Sequence, residues 1–133
     1  MITGKFPTLR LRRSRKYTWS RRLIQENNLS SNDFIYPIFL IEGKNNKQPI
    51  RSMPDVYRYT IDKLDGVINS VIKNRIPMIA LFPSTPNYKK DKFGNEALNE
   101  NNLVCRAIRK IKKNNPEIGV MADVALDPYT SHG

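Results

Sequence analysis

The chain has 133 residues, of which 39% are hydrophobic, and it carries a formal net charge of +11 at pH 7 and a single cysteine. The hydrophobic fraction is sufficient for a folded core, and one cysteine excludes an intrachain disulfide framework and a multi-cysteine metal site. No apolar run approaches the ~20 residues of a membrane span and none has the form of a secretory signal, so we expect a cytoplasmic protein with no membrane association.

Most of the excess positive charge lies near the N-terminus. Residues 1–25 contain eight of the 23 basic residues and none of the 12 acidic residues. Tyr17 and Trp19 lie among these basic residues, so the segment could stack on nucleic-acid bases or pack against a neighbouring subunit. No recognised nucleic-acid-binding motif follows it, which favours assembly. We therefore predict a basic N-terminal arm at 1–32 and a folded part at 33–133.

Two kinds of segment alternate beyond the arm. Short apolar runs rich in β-branched and aromatic residues predict buried strands, whereas apolar residues at helical spacing predict amphipathic helices. In chain order, the predicted elements are a strand at 33–41, a helix at 60–74, a strand at 77–82, a helix at 101–115 and a strand at 118–126. Thr60 is the predicted N-cap of the first helix, and the residues between the first strand and Thr60 are predicted to form a polar loop. The predicted apolar helix faces are Leu64, Val67, Ile68, Val71 and Ile72, and Leu103, Val104, Ala107, Ile108 and Ile111.

This order of elements predicts an α/β fold. Strands that are apolar on both faces and separated by helices indicate a parallel sheet. No glycine-rich loop follows a predicted strand, which argues against a dinucleotide or Walker-type phosphate site. The remaining parallel architecture is the eight-stranded (β/α)8 TIM barrel, whose catalytic groups lie at the carboxyl ends of the strands, and it needs about 250 residues. Three strands cannot close a barrel, so the chain is either a small open sheet or, as we expect, the first part of a barrel. Reactive side chains lie toward and beyond the carboxyl end of the third strand, at Asp123, Asp127, Tyr129, Ser131 and His132.

Several segments carry a resemblance to a known family. They are DFIYPIFLIEG, SMPDVYRYT, LFPS, KDKFGNEALN and RAIRKIKKNNPEIGVMADVALDPYTSHG. In the same order and spacing they resemble the N-terminal part of the delta-aminolevulinic acid dehydratases, also called porphobilinogen synthases, from about Arg10 to Gly133. The resemblance implies an N-terminal arm that embraces neighbouring subunits, usually in a homo-octamer, followed by the first three β/α units of a TIM barrel. It also implies the condensation of two 5-aminolevulinate molecules to porphobilinogen, with loss of water, in tetrapyrrole and haem biosynthesis.

The resemblance also implies a type of metal site. In the zinc-dependent branch of the family, cysteines occupy the positions of Ala125 and Asp127, so no active-site zinc is expected here. The chain is similar to the aspartate-type branch, for which magnesium is the usual requirement. Asp127 could hold the metal, orient a water or bind a substrate ammonium group. Because alternate strand residues share a face, Asp123, Ala125 and Asp127 are expected to point together into the barrel mouth.

The resemblance further implies a substrate pocket in this part of the barrel. Asp123 is similar to the family's active-site aspartate and Phe82 to an aromatic residue that lines the pocket. Tyr129 and Ser131 are further candidates for pocket residues. His132 could be only a hydrogen-bonding loop residue, Cys105 is expected to be a half-buried hydrophobic residue, and the KKDKFGNEALN loop is expected to be solvated.

The family's chemistry rests on two lysines that form Schiff bases with the substrates, and such lysines must be partly desolvated. None of the 12 lysines lies in a predicted strand or at its carboxyl end. The resemblance therefore implies that the Schiff-base lysines lie beyond Gly133, and we expect this chain alone to be inactive. The alternative is a non-catalytic remnant or split-gene product whose basic arm binds a partner subunit or nucleic acid.

Overall fold

The computed structural model describes residues 4–10 and 12–133. The described chain falls into two compact units, one ending at Ser30 and the other spanning Ser31–Gly133. The first unit contains two short helices, α1 at Arg13–Lys16 and α2 at Thr18–Leu23. The Ser20 hydroxyl donates a 2.9 Å hydrogen bond to the Tyr17 carbonyl and thereby closes the first turn of α2. Several large apolar side chains of this unit are exposed, namely Phe6, Tyr17, Trp19, Leu23, Ile24 and Leu29.

The second unit contains five strands and two helices. In chain order they are β1 (Ile35–Ile41), β2 (Lys47–Pro49), β3 (Tyr57–Tyr59), α3 (Leu64–Lys73), β4 (Met78–Ser84), α4 (Leu103–Asn114) and β5 (Gly119–Ala122). Short 3-10 turns lie at Ser31–Asp33, Ile61–Lys63, Asn87–Lys89 and Asn95–Leu98. None of the helices in the described residues is long and apolar enough to cross a membrane.

The strands form one sheet in the order β2-β3-β1-β4-β5. Strand β1 pairs with β4 in parallel over seven positions, from Ile35 beside Met78 to Ile41 beside Ser84. Strand β5 continues the parallel sheet on the far side of β4. The predicted α/β fold with three parallel strands connected through helices is therefore confirmed.

The predicted polar loop before α3 contains two further strands. Strand β3 pairs in parallel with β1, and β2 pairs antiparallel with β3. The Lys47 ammonium lies 3.8 Å from the centre of the Tyr57 ring, which favours this pairing through a cation–π contact. Each strand has only three residues, so neither produces the extended alternation from which a strand can be predicted.

The first predicted helix begins later than expected. Thr60 is fully buried, and its hydroxyl exchanges hydrogen bonds with the backbone of Asn46 at 3.0 and 3.1 Å. Because this hydroxyl fixes the loop before β2, it does not cap the helix, and a 3-10 turn precedes the α-helical start at Leu64. Ile72 was predicted to lie on the apolar face of this helix. It is 47% exposed and therefore lies outside the core.

Helices α3 and α4 cover one face of the sheet. The buried side chains of β1 and β4 on that face alternate along each strand, as the two-residue period of a strand requires. They pack with the apolar helix faces in a cluster of Ile38, Leu40, Leu64, Ile68, Val71, Ile79, Leu81, Leu103, Val104, Ala107, Ile111 and Ile118. On the opposite face, apolar side chains such as Ile35, Phe82 and Met121 remain substantially exposed in the described chain.

Two leucine substitutions test this core. Leu64 is 0% exposed and Leu98 is 83% exposed. We expect Leu64→Ala to lower the free energy of unfolding by about 3 kcal/mol, because it leaves a cavity under the sheet. The matched variant Leu98→Ala should change it by less than about 0.5 kcal/mol. Urea denaturation followed by circular dichroism measures both, and equal effects of the two variants would contradict this assignment of the core.

Candidate functional site at the carboxyl edge of the sheet

The parallel strands β1, β4 and β5 end at the same edge of the sheet. Near that edge Phe39 and Phe82 are register partners, and their ring centres lie 5.6 Å apart. The last paired residues of β4 and β5 are Leu81 and Ala122. Asp123 follows β5 directly, and Phe82 lies near the end of β4. Both residues thus lie toward the edge where parallel β/α folds place their functional groups.

The segment after Asp123 is not a strand, contrary to the prediction. Strand β5 ends at Ala122, so Asp123, Ala125 and Asp127 do not share one strand face. An edge strand is held from one side only, and the Tyr129 amide closes a turn by donating to the Leu126 carbonyl at 2.8 Å. This turn contains the Asp127–Pro128 pair, whose residue types favour turns over strands. Both aspartates are exposed.

The chain beyond this turn is held by the loop that follows β4. Asp91 and Thr130 form a parallel bridge, in which the Asp91 amide donates to Tyr129 O at 3.3 Å and the Ser131 amide donates to Asp91 O at 2.9 Å. His132 Nε2 lies 3.3 Å from the Lys92 carbonyl. This contact agrees with the hydrogen-bonding loop role that the sequence analysis considered for His132. The structure therefore brings Tyr129 and Ser131 together with this loop.

Tyr129 is 8% exposed. Burial raises the pKa of its phenol, and the nearby Cys105 and Glu96 raise it further. The phenol therefore stays protonated at neutral pH and is available as a hydrogen-bond donor. Cys105 itself is partly buried.

The side chain of Asp91 organises the loop. Its carboxylate accepts hydrogen bonds from the amides of Phe93 at 2.8 Å and Asn95 at 3.2 Å, and from the Asn95 side-chain amide at 2.8 Å. The bond from the Asn95 backbone makes the largest contribution, and together these bonds lower the Asp91 pKa. The KKDKFGNEALN loop was expected to be solvated; Lys92, Phe93 and Asn95 are exposed, and the centre of the loop also has a defined turn.

Four charged side chains meet behind this loop. Glu42, the residue after β1, accepts from Lys89 Nζ at 2.8 Å and forms a two-oxygen contact with Arg106 Nη2 at 2.6 Å. Lys89 also contacts Glu96 at 3.1 Å. Burial alone would raise the Glu42 pKa, but the hydrogen bonds from Lys89 and Arg106 outweigh it and lower the pKa. The bond from Glu42, followed by that from Glu96, raises the Lys89 pKa.

The sequence analysis missed this charged cluster. Lys89 was assigned to a solvated loop, whereas in the structure it is partly buried and paired with two carboxylates. Glu42 lies 47 residues before Lys89 and 64 residues before Arg106, so no local spacing links them. The turn at Asp91 had a signal, because Asp followed by Gly and Asn within a few residues is typical of turns.

The donors at this edge suit a hard cation. Asp123 and Asp127 offer carboxylate oxygens, which magnesium prefers, and Cys105 lies apart from them in α4. In residues 4–10 and 12–133, no group of three or more histidine, cysteine, aspartate or glutamate side chains could hold a metal ion.

The parallel sheet, its helix-covered face and the polar groups at its carboxyl edge define the class as a segment of a β/α-barrel protein. The sequence profile described as delta-aminolevulinic acid dehydratase matches residues 8–133. The chain belongs to the delta-aminolevulinic acid dehydratase family, whose enzymes are metal-dependent lyases.

Curated relatives bear the same name. The enzyme from Bradyrhizobium diazoefficiens is 52% identical over 125 residues, which are 94% of this chain and 35% of the relative. The enzyme from Chlamydia pneumoniae is 39% identical over 124 residues, or 93% of this chain and 37% of the relative. The chain thus spans about a third of the length of these relatives.

A solved structure agrees with this assignment. Delta-aminolevulinic acid dehydratase from Toxoplasma gondii, in complex with its reaction product porphobilinogen, superposes with a TM-score of 0.85 at 35% identity. The match covers 92% of this chain and 35% of the other. Partial coverage at this score fits the segment of a TIM barrel that the sequence analysis predicted.

The lowered carboxyl pKa values predict acid sensitivity. Folding lowers the pKa of Glu42 and Asp91, so their contributions to stability are complete above their unfolded values of about 4.3 and 3.9 and are lost as the pH falls through the folded pKa. We expect the urea midpoint to be nearly constant between about pH 5 and 7 and to fall below about pH 4. In Glu42→Gln the fall should be smaller, and a midpoint that is constant down to about pH 2.5 would contradict the prediction.

Proposed function

We propose that this chain is the part of a porphobilinogen synthase that supplies the first strands of the barrel and one side of the substrate pocket. The proposed reaction condenses two 5-aminolevulinate molecules to porphobilinogen with loss of water. The observation that carries the proposal is the family match over residues 8–133, which includes the whole carboxyl edge of the sheet. The porphobilinogen complex of the Toxoplasma gondii relative supports the choice of substrate class.

Within this proposal the exposed groups at the carboxyl edge contact the substrate. Phe82 and the neighbouring Phe39 offer an apolar wall, and Asp123, directly after β5, offers a carboxylate at the same edge of the sheet. Asp127 is exposed within the turn and Ser131 is exposed beyond it, so their carboxylate and hydroxyl can hold an ammonium or a carboxylate group of the substrate. Tyr129 is the buried member of the set, and its protonated phenol supports the segment from behind.

The proposed covalent chemistry needs residues outside this chain. A Schiff-base lysine must be partly desolvated so that its amine is neutral near pH 7. The best-buried candidate near the carboxyl edge, Lys89, is paired with Glu42 and Glu96, and this pairing raises its pKa and keeps it protonated. Lys89 is therefore unsuited to be the nucleophile.

We expect purified residues 1–133 not to convert 5-aminolevulinate to porphobilinogen. Incubation with substrate followed by borohydride reduction traps any Schiff base as a stable mass increase on one lysine. Sparse labelling spread over surface lysines is the expected result, because a Schiff-base lysine must be partly desolvated and surface lysines are not.

A matched experiment tests the proposal positively. In a chimaera, this chain replaces the matching 125 residues of the Bradyrhizobium diazoefficiens relative. The chimaera should form porphobilinogen and acquire borohydride-stable adducts only on lysines outside residues 1–133. An inactive, correctly folded chimaera would contradict the proposed function, and a stoichiometric adduct on Lys89 would contradict the assignment of the nucleophile.

We propose magnesium as the metal of the complete enzyme, with Asp127 as a ligand from this chain. Ala125 and Asp127 stand where the zinc-type enzymes have thiolates, and oxygen ligands select hard cations. The chimaera should retain activity when a zinc-selective chelator is added and should respond to magnesium. Asp127→Asn should weaken the magnesium response at least about tenfold. Loss of activity on zinc chelation that only zinc restores would contradict this choice of metal.

We further propose that the basic N-terminal unit mediates homo-oligomeric assembly. Its large apolar side chains are exposed in the single chain, including Trp19 at 68% and Leu23 at 78%. Such side chains gain free energy when a neighbouring copy covers them, whereas nucleic-acid binding would use the charges alone or with stacking. The family's homo-octamer is the assembly that the sequence resemblance implies.

A further inference from the structure

The loop after β4 connects the charged cluster to the segment that carries Tyr129 and Ser131. Lys89 and Glu96, which lie on either side of Asp91 in the loop, form the charged cluster with Glu42 and Arg106. The backbone of Asp91 bridges to Thr130. Any displacement of the loop must therefore move Asp91 relative to the sheet or break one of these contacts.

The cluster ties three separate parts of the chain together. Glu42 extends from the end of β1, Lys89 and Glu96 belong to the loop, and Arg106 projects from α4. All four side chains are partly buried, and two carboxylates face two cations, so the charges balance. Removing the Glu42 charge leaves Lys89 and Arg106 close together without their shared partner, and this costs more than the loss of an exposed ion pair.

Asp91 transmits this position to the neighbouring segment. Its carboxylate braces the loop through Phe93 and Asn95, while its backbone pairs with Tyr129 and Ser131. The side chain and the backbone of one residue thus fix the loop and the segment to each other.

Gly94 lies in the loop next to the segment. It is buried and adopts a φ of +69°, a conformation that other residues rarely accept. A Cβ at this position would lie 3.4 Å from Thr130 Cγ2 and 3.8 Å from Tyr129 Cβ, which are ordinary van der Waals distances. The backbone conformation, and not a lack of space, therefore favours glycine where the loop adjoins Tyr129 and Thr130.

We propose that Glu42 and Asp91 are positioning residues. They fix the position of the substrate segment, Asp127–Ser131, through the loop after β4. Glu42 fixes the loop through Lys89 and Arg106, and Asp91 passes this position to Tyr129 and Ser131. Neither residue is assigned a contact with substrate. The proposal rests on the proposed function only in naming this segment as part of the substrate pocket.

Hydrogen exchange of the full 133-residue chain tests whether Glu42 and Asp91 hold the loop and the segment in place, and it needs no enzymatic activity. Glu42→Gln should accelerate exchange of the Asp91 and Ser131 amides at least about fivefold relative to amides in β4. The matched control is Asp65→Asn, which removes the 2.9 Å ion pair with Lys110 between α3 and α4. In this control the exchange rates of the Asp91 and Ser131 amides should stay within about twofold of those in the unsubstituted chain. Unchanged exchange in Glu42→Gln, or equal acceleration in all amides, would overturn the proposal.

A second variant separates the brace from the cluster. Asp91→Ala removes the carboxylate and keeps the backbone bridge. It should also accelerate exchange at Ser131 by at least about fivefold, with the cluster intact and the β4 amides unchanged. Slow exchange at Ser131 in this variant would contradict the role of Asp91.

Kinetics of the chimaera test the functional part. Glu42→Gln should raise KM at least about fivefold and lower kcat by less than about threefold, because the displaced groups bind substrate in both the ground and the transition state. Glu42→Asp, which keeps the charge, should recover at least about half of kcat/KM. Equal kinetics of Glu42→Gln and the Asp65→Asn control would overturn the positioning role. An inactive parent chimaera would count against the proposed function, while the exchange result would still decide the proposal.

Discussion

The parallel pairing of β1 with β4 is the constraint on which the rest of the structure depends. Seven consecutive register pairs join the two strands. Because successive side chains point to opposite faces, this register sends Ile38, Leu40, Ile79 and Leu81 toward the helices and places Phe39 beside Phe82 on the other face. A shift of one residue would exchange the two sets. The same pairing therefore determines both the core and the aromatic wall of the candidate site.

The sequence predicted this part of the fold because its signals are local and repeated. Continuous apolar runs gave β1 and β4, and helical spacing gave α3 and α4 together with most of their buried residues. Where tertiary contacts decide, prediction failed. Thr60 could cap a helix or fix a loop. Its hydrogen-bond partner Asn46 lies 14 residues earlier, and no local sequence pattern indicates that pairing. The end of β5 likewise depends on which strand lies beside it.

The candidate site divides along the same line. Asp123 was located by the third apolar run, and Phe82 was named by the family resemblance, so both could be proposed from the sequence. The placement of Tyr129 and Ser131 depends on Asp91, about 40 residues earlier, through backbone hydrogen bonds that any residue type could form. The charged cluster could not be predicted for a related reason. Charged residues such as Glu42, Lys89 and Arg106 are typical of solvated surfaces, and only the fold brings these three together.

The charge distribution of the assembled edge adds a chemical argument. The cluster of Glu42, Lys89, Glu96 and Arg106 fixes the loop and adds no net charge to this edge. Asp123 and Asp127 have no salt bridge to a lysine or arginine in the part of the chain that the structure describes. Two carboxylates without such an ion pair thus follow β5 in an otherwise strongly basic chain. Carboxylates attract cations, which agrees with the magnesium ion and the ammonium-bearing substrate proposed above.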